Sequence, residues 1–192
     1  MSTQPKPQLT SEEYLAIERD TERKHEFYRG EMFAMVGASR EHNLVAGNIF
    51  ASLHSQLKDR DCQVFTGDMR VKVSATGLYT YPDVIATCKS PKFEDDHVDT
   101  LLNPQVIFEV LSESTEKYDR GKKWEHYRQI ESLREYVLVS QDHPQIDHFV
   151  RQDDGHWLLD EASGLEASLE LPTIDCRLQM ADVYAKVQFP AA

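Results

Sequence analysis

Cysteine, long apolar runs and an apolar leader are the features that the sequence most clearly lacks. The cysteines are Cys62, Cys88 and Cys176. Their odd number and the absence of CxxC spacing argue against a disulfide framework or a structural zinc site, so free thiols are expected. There is no apolar run of about 18 residues, which argues against a membrane span. The polar start MSTQPKPQL does not resemble a secretory signal, so a cytoplasmic location is expected.

Basic residues are also scarce relative to acidic ones. The chain has 21 Lys and Arg against 33 Asp and Glu, which gives a formal net charge of −12. Such a charge repels nucleic acid as a whole, so a polyanionic partner would need a local basic patch. The segment 117–128, with five basic and two acidic residues, is a candidate. A solvated helix face is the alternative interpretation.

The length indicates one domain. With 192 residues, of which 40% are apolar, the chain can bury a sizeable core. We expect residues 1–9 to form a flexible arm and residues 10–192 to form a single domain. A helix is predicted from 10–13 to about Asp20, and a hairpin around Arg29 and Gly30. A second helix should follow Ser39 and pack on a sheet through one apolar stripe, which consists of Val45, Ile49, Leu53 and Leu57.

The rest of the chain is dominated by short β-rich runs. Strands are predicted at residues 62–66, 69–73, 81–86, 106–111, 136–139, 146–151 and 156–159, with an edge strand at 169–171. A hairpin turn is predicted at 153–155, and helices at about 119–131 and 180–187. Because helices and strands mix without strict βαβ alternation, the predicted fold class is α/β or α+β around a mixed sheet.

Glu109 is the most unusual residue in this pattern, because it lies inside the apolar strand VIFEVL. Strand alternation puts it on one face with Ile107 and Leu111, and both faces are otherwise apolar. A carboxylate buried there is costly unless it is paired, protonated or bound to a metal. The strand alone leaves two interpretations open, a metal or catalytic role and a structural ion pair.

Asp83 is the second candidate acid, on a strand face shared with Tyr81 and Ile85. A Pro-Asp pair at a strand start is commonly a turn feature. However, two carboxylates on neighbouring strands can converge on one divalent ion, and their hard oxygens suit Mg²⁺ or Mn²⁺. Such an ion polarises a phosphoryl oxygen and lowers the pKa of a bound water.

Lys123 is the third candidate. On the helix predicted from Asp119, it shares a stripe with Tyr127 and Ile130, whereas Lys122 falls on a polar face. Lys123 should therefore border the core, where it could stabilise charge on a phosphate or extend its stem along the core edge.

Signatures of several other enzyme classes are absent. The sequence has no HExxH, GxSxG, P-loop or GxGxxG motif. His42 lies in the first turns of the second helix and is interpreted as solvated, capping or functional. Glu26 lies in the predicted hairpin, where its pattern is that of a surface strand residue.

Four segments together resemble one protein family. They are YPDV at 81–84, FEVLSEST at 108–115, YDRGKKWEHY at 118–127 and REYVLVS at 134–140, and Glu26 and His42 match further recurring positions. Over nearly its whole length the chain is similar to the Uma (Uma-two) family of proposed bacterial restriction endonucleases, within the PD-(D/E)XK superfamily. The resemblance implies a restriction-endonuclease-like fold, a four-stranded mixed sheet flanked by helices, with additional hairpins here.

The resemblance also implies a site and an activity. It assigns Asp83 and Glu109 as catalytic acids that bind Mg²⁺ or Mn²⁺, with Glu26 and His42 in support. The superfamily lysine would stand at Leu111, and in this family a lysine on the following helix takes its place, here Lys123. The implied function is a metal-dependent endonuclease that hydrolyses DNA, with no membrane partner and with a homodimer as a plausible assembly.

Two alternatives remain open at this point. A catalytically inactive nuclease fold could bind nucleic acid or a protein partner, which the acidic charge and Leu111 favour. Alternatively, Glu109 and Lys123 could form a structural ion pair without any metal.

Overall fold

Strands outnumber helices in the computed structural model, which describes residues 8–190. The helical segments are α1 (Ser11–Asp20), α2 (Arg40–Leu57), α3 (Glu116–Tyr118), a π-helical turn (Asp119–Lys123), α4 (Trp124–Tyr127) and α5 (Met180–Val183). The strands are β1 (His25–Tyr28), β2 (Glu31–Ala34), β3 (Cys62–Thr66), β4 (Arg70–Val73), β5 (Leu78–Thr80), β6 (Val84–Cys88), β7 (Thr100–Leu101), β8 (Val106–Leu111), β9 (Glu135–Ser140), β10 (Gln145–Arg151), β11 (Trp157–Ser163), β12 (Ser168–Leu171) and β13 (Cys176–Gln179).

The central sheet has six strands in the order β11-β10-β9-β8-β6-β3. The β8–β9 pair is parallel, and the other neighbouring pairs are antiparallel. The predicted mixed sheet is therefore confirmed. The expected four strands are exceeded, because β9 continues into the hairpin of β10 and β11, which adds two strands at one edge.

The central sheet is covered on both faces, as its apolar strands require. On one face, Phe108 packs with the α2 stripe, which includes Val45 and Ile49, and with β12, β13 and α5. On the other face, Ile107 and Leu111 pack with Tyr127 of α4 and with β4 and β5. The alternation predicted for β8 is confirmed, and Glu109 points to the second face.

A second sheet stands against that second face. It has five strands in the order β2-β1-β5-β4-β7. Its far side is covered by α1, where Tyr14 and Leu15 pack with Phe27 and Tyr79. Helix α1 begins with a capping box, in which Thr10 and Glu13 exchange side-chain and backbone hydrogen bonds.

Most predicted elements are confirmed, and the differences are at their ends and in three short strands that the sequence does not predict, β5, β7 and β13. The predicted strand 81–86 is wrong at its start, since β6 begins at Val84; Pro82 has no N–H to pair. The helix predicted at 119–131 instead spans α3, the π-helical turn and α4, and ends at Tyr127. The closing helix is shorter than predicted, and β12 pairs with an unpredicted strand, β13.

Two features bear on the terminal arm and on membranes. Residues 1–7 of the predicted arm lie outside the described residues, whereas the Leu9 N–H donates to the Gly30 carbonyl at 3.0 Å. Within the described part of the chain, no helix has both the length and the apolarity needed to cross a bilayer.

The prediction of three free thiols is wrong. Cys62 and Cys88 lie directly opposite each other on the antiparallel strands β3 and β6 and form a disulfide. Cys176 is free and buried. The pairing could not be read from the sequence, because 26 residues separate the two cysteines and only the strand register brings them together.

This pairing predicts the thiol count of the purified protein. Unfolded in denaturant without reductant, the chain should react with a thiol reagent at one site, Cys176, and at three sites after reduction. A Cys62→Ser variant should lower the free energy of unfolding by about 2–4 kcal/mol, because the closed loop no longer restricts the unfolded chain. Three reactive thiols before reduction would contradict the pairing.

Candidate active site

Asp83 lies in the turn that leads into β6, at the end of the strand next to β8. Its Oδ2 accepts a hydrogen bond from the Val110 backbone N–H at 2.7 Å. The Nε2 of His42 lies 3.2 Å from the same oxygen. Val110 follows Glu109 directly, so this bond holds Asp83 against the end of β8 that carries the second acid.

Glu109 is buried on β8, with only 3% of its surface exposed. Its Oε1 accepts a hydrogen bond from the Tyr127 hydroxyl at 2.7 Å. The Nζ of Lys123 lies 2.8 Å from the same oxygen. The buried carboxylate is therefore paired through one oxygen, and no described contact occupies Oε2.

Lys123 is buried with 4% of its surface exposed, while Lys122 is exposed. The spacing-based choice of Lys123 as the core-facing lysine is thus correct. Its Nζ lies 2.8 Å from Glu109, 3.4 Å from Asp119 and 3.7 Å from Glu26. One ammonium group is shared by three carboxylates from three different elements.

Glu26 reaches this cluster from β1 of the second sheet. It accepts hydrogen bonds from the Tyr118 hydroxyl at 2.9 Å and from the Thr80 hydroxyl. Its side chain is 13% exposed, which rules out the surface-strand interpretation. Glu26 therefore connects the second sheet to Lys123, which lies over the central sheet.

His42 lies in the first turns of α2, whose N-cap is Ser39, as predicted. The Ser39 Oγ accepts the His42 backbone N–H at 3.0 Å. The imidazole is not solvated, because its Nε2 faces Asp83 and its buried Nδ1 has no hydrogen-bond partner among the described residues. Its side chain is directed at the acid and does not serve as a cap.

The cluster carries an excess of negative charge. Burial raises the pKa of Glu109 well above its usual range; Lys123 opposes this shift, and Asp119 and Asp83 add to it. Burial alone would lower the pKa of Lys123, but Glu109, Tyr127 and the other acids hold it well above its ordinary value. Burial also raises the pKa of Asp119. One lysine therefore does not balance the acids around it.

Asp119 and Tyr127 are site residues that the sequence reasoning did not identify. In the sequence, Asp119 is one acid of a charged segment, and the spacing of Tyr127 is that of a core residue. Asp119 is four residues before Lys123, a spacing that could have suggested the contact. The π-helical turn, which no sequence rule indicated, turns both Asp119 and Lys123 inward. Such turns occur frequently at functional sites.

The residues present fit a magnesium-like ion. Glu109 Oε2 and Asp83 Oδ1 are the carboxylate oxygens that the described contacts leave available. The Val110 carbonyl faces the same edge of β8 as its N–H, toward Asp83. Within residues 8–190 no group of three His, Cys, Asp or Glu side chains could form a metal cage. Mg²⁺ needs no such cage, since it keeps several waters and binds one or two carboxylates.

Comparison with known proteins places the chain in a family. A profile of the Uma2 family, described as "Putative restriction endonuclease", matches residues 11–182. The chain belongs to the Uma2 family. It is also similar to two uncharacterised proteins of Synechocystis sp. One, sll1609, is 37% identical over 84% of this chain and 92% of its own length. The other, slr1290, is 34% identical over 96% of each chain.

A solved structure shows the same fold as this Uma2 member. It is a "putative nuclease" of the DUF820 group from Anabaena variabilis, with a TM-score of 0.76 and 16% sequence identity. The match covers 94% of this chain and 99% of the other. The predicted family and the predicted nuclease-like α+β fold are confirmed.

Proposed function

We propose that this protein is a nuclease that hydrolyses DNA phosphodiester bonds with Mg²⁺ or Mn²⁺ held by Asp83 and Glu109. The observation that carries the proposal is the convergence of Asp83, Glu109 and Lys123 at the end of β8. There, Val110 N–H lies 2.7 Å from Asp83 and Lys123 Nζ lies 2.8 Å from Glu109. Membership of the Uma2 family and the nuclease-like fold support nuclease activity in general.

The charge of the cluster supports a divalent cation. Three carboxylates, those of Glu26, Glu109 and Asp119, lie around a single lysine, and the Asp83 charge also acts on Glu109. A buried excess of negative charge is costly unless a cation or protons compensate it. When bound, the ion would polarise a phosphoryl oxygen and lower the pKa of a water molecule.

The chain's own residues then have separate roles. Asp83 and Glu109 hold the ion, and Lys123 orients the attacking water or stabilises charge on the phosphate. Tyr127 and Lys123 both bind Oε1 of Glu109 and leave Oε2 for the cation. His42 orients Asp83 in the same way, and Glu26 holds Lys123 in position.

The position at which the superfamily motif has its lysine is occupied by Leu111 in this chain. We therefore assign the role of that lysine to Lys123. Leu111 is 5% exposed and packs in the apolar cluster with Tyr127 and Leu138. Lys123, from the helical segment above β8, brings its ammonium group to Glu109 instead. The carboxylate–lysine pair is thus kept, although the two residues come from different elements.

A plasmid cleavage assay tests the proposal. Purified protein should convert supercoiled DNA to nicked or linear forms with Mg²⁺ or Mn²⁺, and EDTA should abolish the conversion. Both metals are included because hard oxygen ligands suit both. The absence of cleavage of both plasmid and single-stranded DNA with either metal, by a protein that is folded by circular dichroism, would overturn the proposal.

A second candidate function is favoured by Leu111 at the motif lysine position. In that case the fold would bind nucleic acid or a protein partner without cleaving it. Salt-dependent DNA binding that is indifferent to Mg²⁺ and Mn²⁺ would distinguish this function from the first. Cleavage that depends on the metal would exclude it.

The assembly and the location of the protein remain predictions. A homodimer would supply the two sites that cutting both strands requires, and light scattering with and without DNA would detect it. The cytoplasm is the compartment predicted from the sequence, and the Cys62–Cys88 disulfide counts against it, because cytosolic thiols are normally kept reduced.

A further inference from the structure

Phe33 is the one aromatic side chain that is left exposed beside the site. All 18 aromatic residues of the chain lie within residues 8–190, and Phe33, at 48%, is the most exposed of them. A single exposed apolar residue is common, but Phe33 is accompanied by exposed Val36, and exposed apolar side chains grouped beside a site can form a ligand-binding surface. The Phe33 ring is part of neither the apolar core clusters nor the proposed metal site.

The strand register places Phe33 on the side of the site. Phe33 of β2 lies directly opposite Glu26 of β1, and residues directly opposite in an antiparallel pair share one face. Glu26 on that face contacts Lys123 at 3.7 Å. The neighbouring pair, Phe27 and Met32, faces α1 on the other side. Phe33 therefore stands next to the carboxylate that holds the buried lysine.

The segment that follows Phe33 borders the site on its other side. Val36, at 77%, is the most exposed of the large apolar residues in the described chain. The chain then reaches Ser39, which caps α2, and His42, which lies 3.2 Å from Asp83. Residues 33–42 thus run from beside Glu26 to beside Asp83, and the exposed apolar side chains occur between these two ends.

We propose that Phe33 is a stacking platform for an unpaired nucleobase, so that the site takes single-stranded DNA or unpaired DNA segments in preference to intact duplex. The inference rests on the proposed nuclease function and adds its substrate class. A base next to a phosphate in this site needs an apolar face to stack on, and aromatic stacking binds single strands with little sequence preference. A base inside a duplex cannot offer its face to the ring.

The charge of the protein favours the same substrate. Duplex DNA carries twice the phosphate charge of a single strand along its axis and is bound mainly through basic residues. This chain has a net charge of −12. Several cations close to the site are already paired, such as Lys24 with Asp68 and Arg40 with Glu41. Stacking supplies binding that does not depend on a basic surface.

Cleavage of matched oligonucleotides tests the inference. Labelled single-stranded DNA and the same sequence as a blunt duplex are compared by kcat/KM with Mn²⁺, using wild type, Phe33→Ala, Phe33→Trp and Val98→Ala. Val98 is a matched control, because it is exposed and apolar but lies on another loop. We expect the wild type to prefer the single strand roughly tenfold or more, Phe33→Ala to lose that preference, and Phe33→Trp and Val98→Ala to keep it.

Oligonucleotide binding in EDTA, measured by fluorescence anisotropy, separates this inference from the nuclease proposal. If no variant cuts DNA but Phe33→Ala binds the single strand about tenfold more weakly than wild type, the nuclease proposal fails and the stacking platform stands. Equal affinity of Phe33→Ala and wild type for the single strand would overturn the inference, as would equal cleavage of duplex and single strand. Dimer dissociation by Phe33→Ala with unchanged DNA binding would instead identify the ring as a contact between two copies, which also overturns it.

Discussion

Replacing Glu109 by glutamine should reduce metal-dependent DNA cleavage by about 100- to 1000-fold or more, the scale seen when one electrostatic group is removed from an active site. The amide keeps the size of the side chain and can still accept from Tyr127, but it removes the negative charge that holds the cation. Initial rates on supercoiled plasmid with Mg²⁺ and with Mn²⁺ measure the effect.

The same variant should also lose the stabilisation that metal binding provides. A ligand that binds only the folded state raises the melting temperature, so Mn²⁺ should raise the Tm of the wild type and not that of Glu109→Gln. Glu161→Gln is the matched control, because Glu161 is an exposed strand carboxylate on β11. Full activity of Glu109→Gln, or an unchanged Mn²⁺ effect on its Tm, would remove Glu109 from the metal site.

Lys122 and Lys123 are adjacent in sequence, but Lys122 is exposed and Lys123 is buried. Lys123→Met should lower the cleavage rate by about 100- to 1000-fold, because the buried ammonium group next to Glu109 is lost from the site. Lys122→Met should leave the rate within about twofold, because Lys122 is exposed on the other side of the π-helical turn. The two variants have the same composition and the same net charge.

Stability should separate the two lysines as well. Lys123 is 4% exposed and faces three carboxylates, so its removal leaves buried acids without a cation. We expect the free energy of unfolding in urea to fall by about 3 kcal/mol, with the loss limited because the acids can take up protons. Lys122→Met should change it by less than about 0.5 kcal/mol. If Lys122→Met were the inactive variant, the helical register of the site would be wrong.

The burial of Glu109 and Lys123 could be predicted from local patterns. Glu109 interrupts an apolar strand, and the alternation of side chains already placed it on a buried face. Helical spacing distinguished Lys123 from Lys122 because the apolar residues at Tyr127 and Ile130 mark the side that packs on the sheet. In both cases the informative feature was the position of a charged residue relative to the apolar face of a single helix or strand.

Other features depend on contacts between distant segments. The strand predicted through Asp83 in fact begins after it, and the acid is held instead by the Val110 N–H, 27 residues away in sequence. Asp119 joins the site through a π-helical turn that helical periodicity does not anticipate. The Cys62–Cys88 pairing follows from strand register, which spacing along the chain does not specify.

Local sequence patterns were sufficient to predict the mixed fold class, the burial of β8 on both faces, and which acid and which lysine face the core. These properties follow from hydrophobic periodicity, which acts over a few residues. The tertiary structure was needed to show that Asp119 joins the cluster, that Glu26 and His42, which the family resemblance had named, contact Lys123 and Asp83 directly, and that Phe33 stands exposed beside them. Convergence of this kind depends on how two sheets and two helical segments pack, and packing is set by many weak contacts between residues far apart in the chain.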